Sequence, residues 1–201
     1  GLSGKLDLWI VRALLRQLKS LRIDPDSHPH YWVNLSGVTL GDGKFYAELT
    51  NMLHEADLPA GVVNFEITET AVIRSVNDAN RLLDELRARG CGVALDDFGS
   101  GLSSFGYLKE FMVDRIKIDG MFIRDITTDP TDRIFVKSII DIAHTLGIAT
   151  VTEFVEDDET LELVRSLGAD FAQGFGVHRP ELLSQLAEPA AQRPSEYVGT
   201  R

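Results

Sequence analysis

Six short apolar runs alternate along this chain with segments whose apolar residues recur at helical spacing. The runs cover residues 31–35, 62–67, 92–96, 115–118, 148–151 and 171–173. Runs of this length with few polar interruptions suit strands buried on both faces, as in a parallel sheet. The helical segments lie near residues 6–21, 45–56, 76–89, 133–146 and 159–167. Three of them end in a glycine followed closely by a strand run: Gly90, Gly147 and Gly168. Glycine there closes a helix in the left-handed conformation and turns the chain into the next strand. Repeated strand–helix units predict an α/β fold with a parallel sheet, either doubly wound or closed as a barrel.

Length and composition bound the rest. At 201 residues, 44% apolar and 25% charged, the chain reads as one domain with a sizeable core. Its longest apolar stretch, residues 138–151, is broken by Asp141 and His144, so no bilayer-spanning helix is expected. The single cysteine, Cys91, cannot form an internal disulfide and is read as a small buried residue opening a strand, which suits a reducing compartment. Trp9 and Trp32 are read as core, and the His28/His30 pair as loop, because no further ligands stand at suitable spacing. A net charge of −11 disfavours a DNA or RNA polymer as partner. A small anionic ligand stays open, provided that cations bound by some of the carboxylates reverse the local field.

Polar groups gather where the runs end. Asn34 ends the first; Glu66 and Glu69 follow the second; Asp96 and Asp97 end the third. Lys117 and Asp119 end the fourth, Glu153 and Glu156 follow the fifth, and Gln173 sits in the sixth. In a β/α barrel these ends converge on the face that carries active sites. So many carboxylates do not stay ionised side by side without cations. Hard oxygen ligands suit Mg²⁺ or Mn²⁺. Adjacent aspartates allow one carboxylate to bridge two metals, the arrangement that clamps in-line attack at phosphorus. In such a site Lys117 orients water or neutralises a phosphate oxygen, and Glu153 accepts a proton. An enolate-forming barrel enzyme and a purely structural charge network fit the same spacing.

The motifs narrow this choice. Asn34-Leu35-Ser36, Phe65-Glu66-Ile67-Thr68-Glu69, the run Ala94-Leu95-Asp96-Asp97-Phe98-Gly99-Ser100-Gly101, Ile116-Lys117-Ile118-Asp119 and Gln173-Gly174-Phe175 resemble, in order, the successive signatures of EAL domains. The enolate alternative has no such glycine loop. The resemblance implies a modified TIM-type β/α barrel in a bacterial, cytoplasmic signalling module, whose parent protein can be membrane-anchored. It implies metal-dependent hydrolysis of cyclic di-GMP to linear pGpG with a two-metal Mg²⁺ or Mn²⁺ site. The alternative is a non-catalytic cyclic di-GMP receptor. Carried over by motif, Asn34, Glu66, Asp96 and Asp97 bind the metals, and Lys117 and Glu153 handle the attacking water. Asp119, Glu156 and Gln173 support metal, water or ligand from behind, and Glu69 braces the loop at residues 97–104. That loop resembles the one coupled to dimerisation in the family, so a homodimer is expected, together with sensor or GGDEF domains elsewhere in the parent protein.

Two departures accompany the resemblance. The family's usual Ala-Glu-Gly-Val-Glu reads Thr152-Glu153-Phe154-Val155-Glu156, with both glutamates kept. An eight-unit barrel typically takes about 250 residues, so roughly 50 are expected to be missing from this chain. Residues 1–187 are therefore expected to form an EAL domain without its N-terminal strands and Glu-Ala-Leu signature, inactive by itself, and residues 188–201 a flexible tail.

Overall fold

A computed structural model describes residues 1–21, 23–24, 28–100 and 105–182, which fall into two compact units, Gly1–Ala94 and Leu95–Leu182. The expected C-terminal tail, 188–201, lies outside the described residues. The class is α/β as expected: six strands follow one another in sheet order β1 to β6, and the registers in both units are parallel. No described helix is long and apolar enough to cross a membrane.

The first unit opens with α1 (Leu2–Lys19), followed by β1 (Tyr31–Leu35), α2 (Gly43–Ala56) and β2 (Val63–Thr68). A short helix α3 (Glu69–Arg74) then leads into α4 (Val76–Arg87), and β3 (Val93–Phe98) begins here. The α1 stripe Leu8, Val11, Leu14, Leu15, Leu18 is buried. Burying each such side chain contributes about 1.5–3 kcal/mol. Trp9 corrects the sequence reading: it is 63% exposed, because one step along a helix turns it about 100° away from Leu8 and off the buried stripe. Asp42 caps α2 by accepting from the backbone amides of Lys44 and Phe45. The α3 turn has no apolar period of its own and escaped the sequence reading.

Two buried polar groups hold this unit's strands. Asp7, 6% exposed, accepts hydrogen bonds from the Ser36 amide at 2.9 Å and the Ser36 hydroxyl at 2.5 Å, anchoring the end of β1 to α1. Asn64 donates to the Gly61 carbonyl and accepts from the Gly92 amide, both at 2.7 Å. Cys91 is buried just ahead of β3, as expected.

The second unit holds the rest of β3, β4 (Arg115–Ile118), α5 (Pro130–Thr145), β5 (Ala149–Thr152), α6 (Asp158–Leu167) and β6 (Phe171–Ala172). The inward residues of α5, Val136, Ile139, Ile140 and Ala143, are buried together with Ile116, Ile118 and Val164. Asp129 and Asp157 cap α5 and α6, accepting from the amides of Thr131 and Thr160. The junction glycines take the expected role: φ is +73° at Gly147 and +97° at Gly168. Asp170, at the start of β6, accepts from the Thr150 amide at 2.8 Å and hydroxyl at 2.9 Å, and lies 2.8 Å from His144 Nε2.

Candidate active site

The second unit brings together residues from the ends of three successive strands. Lys117, the penultimate residue of β4, is 4% exposed, flanked by the fully buried Ile116 and Ile118. Its ammonium lies 2.8 Å from Asp96 Oδ1 on β3 and 2.7 Å from Glu153 Oε1 just past β5. One oxygen each from Asp96, Asp97 and Glu153 lie within 4.8 Å of one another.

Consecutive residues of a strand normally point to opposite faces. Asp96 and Asp97 escape that rule because Asp97 has φ +56°, a left-handed conformation that aspartate tolerates better than most residues. The bend lets both carboxylates contribute to one cluster.

Electrostatics follow from this crowding. Burial pushes the Glu153 carboxyl above its usual range, with Asp96 and Asp97 adding to the effect and Lys117 opposing it. Asp97 is also raised, first by desolvation and then by Asp96 and Asp119. Asp96 Oδ1 is buried; it meets the Lys117 ammonium as a charge contact but lacks an aligned hydrogen-bond donor. An anionic oxygen in that position has capacity for a cation. The three carboxylates offer oxygen donors of the kind a hard divalent metal takes, with the Lys117 ammonium as their counter-charge.

The other sequence-derived candidates stand as follows. Asp119 caps the turn after β4 by accepting from the Met121 amide at 2.8 Å. Gln173, past β6, donates its backbone amide to the Thr152 carbonyl, and its backbone carbonyl accepts from the Val155 amide, so its main chain brackets the Glu153 segment. Glu156 is exposed. In the first unit Asn34 and Glu66 are register partners on β1 and β2, Asn34 exposed and Glu66 half-buried. Glu69 opens α3 and is 1% exposed. Residues 101–104, part of the loop assigned to it, lie outside the described residues.

The sequence reading did not single out Arg124. Its guanidinium lies 4.7 Å from the centre of the Phe154 ring, the side chain next to Glu153. An arginine four residues past Gly120 carries no motif of its own, so only tertiary structure reveals the pair.

The chain is similar to known proteins in both sequence and fold. The family model for the EAL domain matches residues 1–180. A cyclic di-GMP phosphodiesterase of Shewanella oneidensis, PdeB, is 40% identical over 156 residues, covering 78% of this chain and 18% of that protein. The EAL domain of Mycobacterium smegmatis DcpA superposes with a TM-score of 0.84 at 30% identity, covering 93% of this chain and 84% of that one. A manganese and cyclic di-GMP complex of Klebsiella pneumoniae BlrP1 superposes with a TM-score of 0.79 at 31% identity, covering 90% of this chain and 45% of that one. The chain spans between 18% and 38% of the length of the curated relatives it matches. The family folds as a TIM-type barrel, the architecture that the EAL resemblance implied. With its signatures in order, its acidic cluster assembled on the strand ends and its match over 180 residues, this chain belongs to the EAL domain family.

Proposed function

We propose that this chain supplies the reactive centre of a phosphodiesterase that hydrolyses cyclic di-GMP to linear pGpG. The observation that carries the reading is Lys117, held between Asp96 and Glu153 in a cluster of three carboxylates. The names of its relatives and the ligand in the BlrP1 complex point to the same substrate.

Asp96 and Asp97 are the groups proposed to hold Mg²⁺ or Mn²⁺ in this unit, with Glu153 beside them left free as the base; the sequence resemblance assigns a metal-binding role to Asn34 and Glu66 as well. Bound there, such a cation supplies Lewis-acid polarisation of the phosphate. The remaining chemistry belongs to the side chains. Glu153, with its raised proton affinity, takes a proton from the attacking water as the water oxygen bonds to phosphorus. The P–O3′ bond breaks, the departing 3′ oxygen takes a proton from solvent water, and Glu153 returns its proton to solvent. Lys117 offsets charge building on the phosphate oxygens, and its burial makes that interaction stronger than it would be in water. Asp119 and Gln173 keep the turns around this pair in place.

The test is hydrolysis by the full-length protein, with products separated by chromatography. Mn²⁺ or Mg²⁺ gives pGpG, Ca²⁺ suppresses it because its longer bonds and higher ligand number disturb the geometry, and EDTA abolishes it. Full activity in EDTA, or no cleavage with Mn²⁺, overturns the proposal.

A further inference from the structure

Phe154 occupies a backbone conformation in which a bulky side chain is an outlier: φ is +54°. A left-handed residue with a Cβ costs roughly 1–2 kcal/mol, and glycine, the usual residue of the family motif at this position, avoids it. Such strain persists where surrounding contacts over-determine the conformation. Here the contacts are specific. A Cβ placed on Gly120 would lie 2.0 Å from Phe154 Cδ2 and 2.5 Å from Cγ, so the ring rests directly on the bare Gly120 backbone. Arg124 extends its guanidinium over the ring, a cation–π contact.

The two segments joined in this way carry the reactive pair. Phe154 follows Glu153; Gly120 follows Asp119 and stands three residues past Lys117. The backbone bond between them at this level, Glu153 amide to Ile118 carbonyl, is 3.3 Å long, at the weak end of the range. We infer that Phe154 is a positioning residue: its ring, seated on Gly120 beneath Arg124, clamps the end of β5 to the end of β4 and sets the approach of Glu153 to Lys117. This role rests on the hydrolase reading above. It gives the glycine-to-phenylalanine departure a purpose, since a side chain at residue 154 supplies a tertiary lock that glycine lacks.

The clamp predicts non-additivity. Gly120 lies outside the left-handed region, so Gly120→Ala carries no backbone penalty and acts only by colliding with the ring. A cycle of Gly120→Ala, Phe154→Gly and the double variant, made in the full-length protein, is read by urea-unfolding midpoint and by kcat and KM for cyclic di-GMP with Mn²⁺. Phe154→Gly lowers kcat about tenfold with KM little changed, because a misplaced base is felt in the transition state. Phe154→Tyr, which keeps the ring, retains kcat. Gly120→Ala alone lowers both the midpoint and kcat, and in the Phe154→Gly background it changes neither. Additive effects in the cycle, or wild-type kcat in Phe154→Gly, overturn the clamp. Absence of turnover in the wild-type protein overturns the hydrolase reading and the positioning role with it, while the unfolding midpoints separately report whether ring and Gly120 are coupled.

Discussion

Lys117 and Glu153 approach to 2.7 Å across neighbouring strands, with only 4% and 13% of their side chains exposed. A charge taken out of water needs a partner, and each of these groups supplies one to the other. The carboxylates of Asp96 and Glu153 meet the lysine from either side.

Lys117→Met keeps the length of the side chain and removes the charge. It leaves two largely buried carboxylates facing each other, and breaking a buried pair in this way costs about 3–5 kcal/mol. The expected result is a loss of that order in urea-unfolding free energy at pH 7, shrinking as pH falls and the carboxylates protonate. Equal destabilisation at pH 7 and in acid would show that Lys117 acts through packing alone.

Asp170 carries a second electrostatic prediction, at the opposite end of β5. Burial disfavours its charged form, but hydrogen bonds from His144 and Thr150 outweigh that effect and hold the carboxyl below its ordinary value. A group depressed in the folded state stabilises above its unfolded pKa, and the contribution is lost as pH falls through the folded value. Asp170→Asn therefore lowers the melting temperature at pH 7 and narrows its gap to wild type below about pH 4. A gap that is constant with pH contradicts the assignment.

Much of this was legible from residue order. The alternation of strand runs and helical stripes located all six strands, because burial on both faces leaves a continuous apolar signature. The residues that cluster around Lys117 stood out too, since each is a polar side chain at the end of an apolar run. What escaped depends on backbone conformation or on partners distant in sequence. Nothing in the letters Asp96-Asp97 shows that a positive φ turns both to one side. Nor does Trp9 announce its exposure, which follows from which stripe of α1 faces inward. Asp7 reads as a surface charge until Ser36, 29 residues on, is found bonded to it.

Cys91 offers a check on the first unit. Burial pushes its thiol up to about 11, with Arg89 opposing, so almost none is thiolate at neutral pH. Thiol-reactive reagents at pH 7.5 should leave the folded protein unlabelled and modify it fully in urea. Rapid labelling without denaturant would mean that the Cys91 region opens readily.

Glu153 is proposed to remove a proton during hydrolysis, and one substitution tests that role most directly. Glu153→Gln keeps the shape and the contact with Lys117 but cannot take the proton. Base catalysis contributes typically 10²–10⁴-fold, so turnover of cyclic di-GMP by the full-length protein falls by about that factor or more. Calorimetry on the same variant should show nucleotide affinity within a few-fold of wild type, because the lost interaction belongs to the transition state. Binding lost as completely as turnover, or turnover retained, would contradict the account and remove Glu153 from the role of base.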